Sequence, residues 1–126
     1  MRWLLHGTLT TAVAEALRGR GDSVVDPASA GVEAAAPHAD VLAAAHKAQL
    51  DVITNDAKLV DSVLASGGPP FGRSIVYLQL EGGDVEQDDA VDRLFERYKR
   101  LTPCRLYTVT GSRVKIRQLP GKGMTG

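Results

Sequence analysis

The segment Asp-Val-Ile-Thr-Asn-Asp, residues 51–56, decides the predicted fold of this chain. Val52 and Ile53 are adjacent β-branched residues, which suit a short strand that is covered on both faces. The polar residues after them end the strand, and their side-chain oxygens can accept hydrogen bonds from the free N–H groups of a first helical turn. In an open α/β sheet, ligands bind at the carboxyl ends of the strands. We therefore expect Asp56 to lie at a functional edge of the sheet.

The composition is that of one globular domain. The chain has 126 residues, 44% of them hydrophobic and 24% charged, and its 15 basic and 15 acidic residues give a formal net charge of zero. This balance offers no overall argument for a nucleic-acid or membrane partner. The single Cys104 cannot form an internal disulfide, and the apolar run at residues 3–5 is too short for a signal peptide. We expect a cytoplasmic protein without membrane contact, with one domain over residues 1–120 and a flexible tail over residues 121–126.

Predicted strands and helices alternate along the chain. Short apolar runs predict strands at residues 3–5, 23–25, 51–53 and 74–78. Apolar residues at helical spacing predict helices that begin near residues 10, 37, 56 and 88, the last of them running to residue 101. Residues 105–109 and 113–119 predict a terminal hairpin around Thr-Gly-Ser at 110–112. This order predicts an α/β fold in which a mainly parallel sheet lies between helix layers and ends in an antiparallel hairpin.

Several polar residues should converge at one edge of this sheet. His6 follows the first strand, Asp40 lies in the first turn of the second helix, and Asp56 follows the third strand. Asp61 lies a little more than one helical turn beyond Asp56. Grouped carboxylates bind hard cations such as Mg²⁺ or Mn²⁺, which can activate water and neutralise a phosphate. For each Asp taken alone, a helix cap or a solvated turn is the alternative interpretation.

The remaining histidines and two aromatic residues have simpler interpretations. We expect His38 to be a solvated loop residue, although it lies close enough to Asp40 in sequence to approach the same site. His46 lies late in the second helix, where it can hydrogen-bond or interact favourably with the helix dipole. Trp3 and Tyr98 are expected to pack in the core or between helix and sheet.

Basic side chains provide the candidate contacts to phosphate groups. Those in the terminal hairpin alternate along a strand and should share one face, which is either an RNA-binding surface or a charged solvent face that protects an edge strand. The basic residues considered are Lys58, Arg73, Arg113, Lys115 and Arg117.

Three parts of the chain resemble small bacterial PIN-like proteins. Residues 1–9, Met-Arg-Trp-Leu-Leu-His-Gly-Thr-Leu, together with residues 15–25, resemble their first strand, which typically ends in Asp-Glu-Asn-Leu, and the helix and strand after it. Residues 39–42 and 52–56 resemble the acidic helix start and the apolar strand ending Thr-x-Asp of that family. Residues 109–120 resemble its terminal hairpin. The resemblance covers most of the chain and implies a three-layer α/β/α PIN-like fold.

This resemblance also implies a function. Many PIN domains are metal-dependent ribonucleases, often the toxin half of a toxin–antitoxin pair, so it implies RNA as substrate, Mg²⁺ or Mn²⁺ as cofactor, and an antitoxin-like protein or a second copy as partner. Asp40 and Asp56 match family acids by position. His6 stands where the first-strand Asp is expected, Thr8 stands where the Asn is expected, and Lys58 begins the pair that replaces the common Asp-Phe.

These departures leave three alternatives for the site. In the first, the acidic centre has degenerated and the fold is retained as an RNA- or protein-binding module. In the second, the centre cleaves RNA with Asp40, Asp56 and Asp61 as catalytic residues, where one of Glu33, Asp61 and Asp51 supplies a missing acid. In the third, it holds a transition metal through His6, Asp40 and Asp56, because imidazole is a poor ligand for magnesium and a good one for zinc, manganese or nickel.

Overall fold

A six-stranded sheet and four helices make up the computed structural model, which describes residues 1–33, 36–65 and 71–119. The strands are β1 (Arg2–His6), β2 (Ser23–Val25), β3 (Asp51–Thr54), β4 (Ile75–Leu78), β5 (Arg105–Val109) and β6 (Val114–Gln118). The helices are α1 (Thr11–Gly19), α2 (His38–Ala48), α3 (Ala57–Leu64) and α4 (Asp84–Arg97). The strand order is β2-β1-β3-β4-β5-β6, in which β6 alone is antiparallel to its neighbour.

The predicted alternation and the mainly parallel sheet are confirmed, and the last two strands, β5 and β6, pair in antiparallel orientation. The predicted bounds of α4, residues 88–101, are wrong by about one helical turn. The helix begins earlier because Gly83 caps it: its N–H donates to Glu86 Oε1 at 2.8 Å and its carbonyl accepts from Gln87 N–H at 3.0 Å. It ends at Arg97 because Tyr98 adopts an extended backbone. The predicted tail at residues 121–126 and most of the predicted loop at residues 66–72 lie outside the described residues.

Helices cover both faces of the sheet because neighbouring residues of a strand point to opposite faces. Val52 belongs to a buried cluster with apolar side chains of α2 and α3, whereas Ile53 belongs to a second cluster with those of α1 and α4. Trp3, expected in the core, is fully buried in the second cluster, and Tyr98 packs edge-on against Tyr107 there. The segment at residues 51–56 therefore organises both halves of the core.

The register of the central strands fixes which residues meet at the two edges of the sheet. His6 pairs with Thr54 at the carboxyl ends of β1 and β3. At the opposite edge, Asp51 is buried, and its Oδ1 accepts hydrogen bonds from the backbone N–H and the hydroxyl of Ser74, both at 2.9 Å. Arg73 donates to the other oxygen of Asp51 at 3.3 Å. Asp51 is thus a structural residue far from the carboxyl edge.

None of the helices in the described ranges combines the length and the apolar character that crossing a membrane would require. The longest, α4, has 14 residues and a largely charged outer surface.

Candidate functional site

Three side chains converge at the carboxyl edge of the sheet. His6 ends β1, His38 is the first residue of α2, and Asp56 is the N-cap of α3. One nitrogen or oxygen atom from each lies within 4.8 Å of the others, and all three side chains are partly exposed. The parallel pairing of β1 with β3 brings their ends together, and the start of α2 approaches from the side. We call this group the His-His-Asp cluster.

The carboxylate of Asp56 is held on both of its oxygens. Oδ1 accepts the backbone N–H of Lys58 at 2.9 Å, which caps α3, and Oδ2 lies 3.0 Å from His38 Nε2. The backbone N–H of Asp56 donates to Thr54 Oγ1 at 3.0 Å. The side chains of His38 and Asp56 are 30% and 31% exposed, so solvent and a ligand can both reach the pair.

The ring of His6 is oriented by a buried hydroxyl. Its Nδ1 lies 2.9 Å from the Oγ1 of Thr54, a residue that is completely buried. The same hydroxyl accepts the N–H of Asp56, so Thr54 connects two members of the cluster. With Nδ1 engaged, Nε2 of His6 is the ring atom available to a ligand. The rings of His6 and His38 meet edge to face, with centroids 5.8 Å apart.

The electrostatics favour a neutral imidazole beside an ionised carboxylate. Burial lowers the pKa of His6, against the attraction of Asp56 and with the repulsion of His38. For Asp56, burial opposes ionisation, but the N–H of Lys58, the hydrogen bond with His38 and the charges of the two histidines together lower its pKa. Neutral histidine and ionised aspartate are the forms that bind metal ions. Near neutral pH, no proton has to be removed from His6 or Asp56 before binding.

The cluster opens into a cavity of about 430 Å³. Glu33 and the loop of Gly7 and Thr8 contribute to its wall. Asn55 ties this loop to the end of β3, because its side-chain oxygen accepts the N–H of Thr8 and its amide donates to the hydroxyl of Thr8, both at 2.9 Å. The cavity is large enough for a small ligand group or for part of a larger substrate.

The cluster contains two of the three predicted metal ligands, His6 and Asp56, but has His38 where Asp40 was expected. Asp40 is exposed and lines a neighbouring cavity of about 500 Å³, whose wall also includes Glu33. Residues two positions apart in a helix are rotated by about 200° about the helix axis, so the side chains of His38 and Asp40 point in nearly opposite directions. The expectation that His38 is a solvated loop residue is wrong, since it begins α2 and pairs with Asp56. The spacing of two positions indicates that only one of the two side chains can face the cluster, but it does not indicate which one.

The other predicted site residues lie apart from the cluster. Asp61 is exposed on α3, and the side chain of Lys58 is exposed and forms no ion pair with any residue in the described ranges. The basic residues of the hairpin, Arg113, Lys115 and Arg117, are also exposed. Strand β6 is three strands from β3, which corresponds to about 14 Å across the sheet. His46, as predicted, makes a hydrogen bond within the fold, accepting the N–H of Gly72 at 3.0 Å.

The donor set favours a transition metal over magnesium. Two imidazoles and one carboxylate suit zinc, manganese, iron or nickel, whereas Mg²⁺ prefers oxygen ligands. The 3.0 Å between His38 Nε2 and Asp56 Oδ2 is also a separation that two ligands of one ion can adopt. Ligand bonds of about 2.1 Å place neighbouring donor atoms about 3.0–3.4 Å apart. Three protein ligands would leave further coordination positions open towards the cavity.

The end of β1 and the residue that follows Asn55 after β3 meet in space here, at His6 and Asp56. The chemistry open to the site follows from these side chains and their neighbours. Neither a protein-family model, nor a curated protein, nor a solved structure matches this chain.

Proposed function

We propose that this chain is a three-layer, PIN-like, metal-dependent ribonuclease whose metal ligands are His6, His38 and Asp56. The observation that carries the proposal is the convergence of these three side chains at the carboxyl edge of the sheet, in an open cavity. The resemblance to PIN-like proteins supplies the substrate class, RNA, and the reaction type, phosphodiester hydrolysis. A toxin–antitoxin role with an antitoxin-like partner, a cytoplasmic location and a homodimer belong to the same proposal.

Each residue has a role that its surroundings support. Thr54 orients the ring of His6, and the helix-capping N–H of Lys58 holds the carboxylate of Asp56. A metal ion bound by the cluster would lower the pKa of water and neutralise charge on a phosphate. Glu33 lines the same cavity and can accept a proton there. Of the three acids considered as replacements, the buried Asp51 is at the opposite edge and the exposed Asp61 is outside the cavity wall in the described ranges.

A second candidate function is binding of RNA or protein without cleavage. The pair of His38 and Asp56 supports it, because each satisfies the other's hydrogen bond and Asp56 also caps α3. The cluster can therefore be a structural feature that needs no metal. In that case, the exposed face of Lys115 and Arg117 is the candidate contact with phosphate groups.

A cleavage assay with matched variants tests the enzyme proposal. The chain is incubated with single-stranded RNA and, in turn, Mn²⁺, Zn²⁺, Co²⁺, Ni²⁺ and Mg²⁺. We expect cleavage with a transition metal, weaker cleavage with Mg²⁺, and loss of cleavage in His38→Ala and Asp56→Asn. Asparagine caps a helix about as well as aspartate, so Asp56→Asn should fold. The control is Asp40→Asn, an exposed acid on the same helix as His38, which should leave activity unchanged.

Metal binding is measured separately by the visible absorption of added Co²⁺, whose bands change in position and intensity when protein ligands replace water. Binding that is lost in His38→Ala but is accompanied by no RNA cleavage would favour the binding module. No binding of any of the five ions, together with no cleavage, would overturn the enzyme proposal. Equal loss of activity in Asp40→Asn and Asp56→Asn would show that the centre also includes Asp40 and extends into the neighbouring cavity. Gel filtration over a range of protein concentrations tests the homodimer.

A further inference from the structure

A second charged cavity lies at the opposite edge of the sheet from the His-His-Asp cluster. It has a volume of about 340 Å³ and opens beside Met1 before β1, Asp51 at the start of β3 and Arg73 before β4. Strand β3 runs from this edge to the cluster, and its four residues span about 13 Å. The two cavities are therefore separate sites. We call this one the basic cavity.

Cationic side chains dominate the wall of the basic cavity. Four of them reach it from three segments: the end of α1, the residue before β4 and the residues after α4. Two carboxylates, those of Asp22 and Asp51, share the wall. Since the whole chain has a formal net charge of zero, an excess of positive charge here is a local feature of the fold. The four cationic residues are Arg20, Arg73, Lys99 and Arg100.

Both carboxylates are already engaged within the fold. Asp22 accepts the amino group of Met1 and the indole N–H of Trp3, each at 3.0 Å. Asp51 accepts two hydrogen bonds from Ser74 and one from Arg73. The charge of Asp22 is balanced by the amino group of Met1, and that of Asp51 is balanced by Arg73. The acids of the cavity therefore serve the scaffold and leave positive charge for a ligand.

The other three cations of the wall are accordingly available to an anion. Arg20, Lys99 and Arg100 form no ion pair with any residue in the part of the chain that the structure describes. The guanidinium of Arg20 lies 3.5 Å from the centre of the Phe95 ring, which fixes its position without using its N–H donors. The guanidinium of Arg73 is anchored by Asp51 at 3.3 Å. Two guanidinium groups of the wall are thus held in fixed positions.

We propose that the basic cavity binds the phosphate monoester group of a small molecule such as a nucleotide. Planar guanidinium groups bind phosphate oxygens through paired hydrogen bonds, and a phosphate monoester carries nearly two negative charges near neutral pH. The volume is at the lower end of the range for small-molecule sites, which suits a mononucleotide better than a large cofactor. Ligands of parallel sheets usually bind at the carboxyl edge, so this site is not the substrate site of the ribonuclease proposal. Phosphate binding in the basic cavity therefore does not depend on the ribonuclease proposal.

Calorimetric titration with 5′-AMP tests the site, with adenosine as the uncharged match and inorganic phosphate as the minimal ligand. The test variant is Lys99→Gln with Arg100→Gln, two exposed residues whose replacement spares the core. The control is Lys115→Gln with Arg117→Gln, which removes the same charge from the exposed strand β6. We expect a Kd for 5′-AMP of about 1 mM or tighter and at least about tenfold weaker binding in the test variant, from the loss of charge-assisted hydrogen bonds.

Two comparisons, between ligands with and without a phosphate group and between the two variants, decide whether the cavity binds phosphate. Weak or absent binding of adenosine, together with unchanged 5′-AMP affinity in the control, supports the proposal. Binding of adenosine as tight as that of 5′-AMP would overturn it, as would equal weakening in the two variants or no detectable binding of either phosphate. A 5′-phosphorylated oligonucleotide and its 5′-hydroxyl match identify the source of the phosphate. If the 5′-phosphate increases affinity only in the chain with Lys99 and Arg100 intact, the site takes an RNA end as well as a free nucleotide.

Discussion

The replacement Thr54→Val tests whether the His-His-Asp cluster is a built metal site. Thr54 is completely buried at the end of β3, and its hydroxyl lies 2.9 Å from His6 Nδ1 and 3.0 Å from the N–H of Asp56. Valine nearly preserves the shape of the side chain and removes both hydrogen bonds. The backbone N–H of Asp56 then loses its acceptor, and the ring of His6 loses the group that orients it.

Two magnitudes follow from these contacts. A partly buried donor without its acceptor costs about 1–3 kcal/mol in the free energy of unfolding. Loss of a partner that orients a metal-bound histidine typically weakens metal binding by about 10–100-fold. Because Thr54 touches no solvent and its side chain is not a metal ligand in the proposal, its effect on metal affinity must pass through His6 and Asp56.

The assay combines urea unfolding without metal and titration with Co²⁺ followed by visible absorption. The control is Thr54→Ser, which keeps the hydroxyl and removes only the methyl group. We expect this control to retain metal affinity within a few-fold, although it loses about 1 kcal/mol of stability from the deleted methyl.

Two results would refute the reasoning. If Thr54→Val is destabilised by the expected amount yet binds Co²⁺ as tightly as the original chain, the hydroxyl does not orient a metal ligand. If Thr54→Ser loses as much metal affinity as Thr54→Val, the effect comes from packing of the strand end and the hydrogen bonds are not its cause.

Two further predictions concern the same edge of the sheet. Burial lowers the pKa of His6 in the folded chain below its ordinary value of 6.5. As the pH falls, the unfolded chain therefore binds a proton at His6 before the folded chain does. The folded state keeps the full stabilising contribution of neutral His6 above pH 6.5 and loses it progressively below that pH. Urea unfolding above and below pH 6.5 should show a smaller loss of stability in His6→Gln, and an unchanged pH dependence would contradict this. Gly7 has a φ of +92°, and a Cβ there would collide with the side-chain oxygen of Asn55, so Gly7→Ala should cost at least about 1–2 kcal/mol. Gly19→Ala, with open space around its Cβ, is the control in the same unfolding assay, and equal losses in the two variants would show that the Gly7 loop adapts.

Local sequence patterns predict most of the fold, because strands, helices and turns depend on neighbouring residues. The β-branched pair Val52 and Ile53 predicts a strand covered on both faces, and the two hydrophobic clusters on opposite faces confirm it. The predicted start of α4 is wrong for a reason that also lies in neighbouring residues. Gly83 has no side chain that would indicate a helix start, and the side chain of Glu86 accepts the hydrogen bond of the cap instead. Helix boundaries of this kind depend on backbone hydrogen bonds that composition does not reveal.

The candidate site shows where local patterns fail. His6 and Asp56 were found from the ends of two strands, since parallel neighbours must bring their carboxyl ends together. The choice between His38 and Asp40 depends on the angle at which α2 approaches the sheet, which is set by packing of Val41, Leu42 and other residues of its buried face. The basic cavity is a similar case, because its cations come from three segments that only the fold brings together.

The sequence by itself determined the order of strands and helices, the parallel sheet with its terminal hairpin, and the position of Asp56 at a strand end. These features follow from periodicity and turn chemistry over short stretches of chain. Only the tertiary structure decided that the partner of Asp56 is His38, that Thr54 joins Asp56 to His6, and that Asp51 serves the scaffold. Except for the local link between Thr54 and Asp56, these contacts join residues 18 or more positions apart, and their geometry comes from how helices and strands pack.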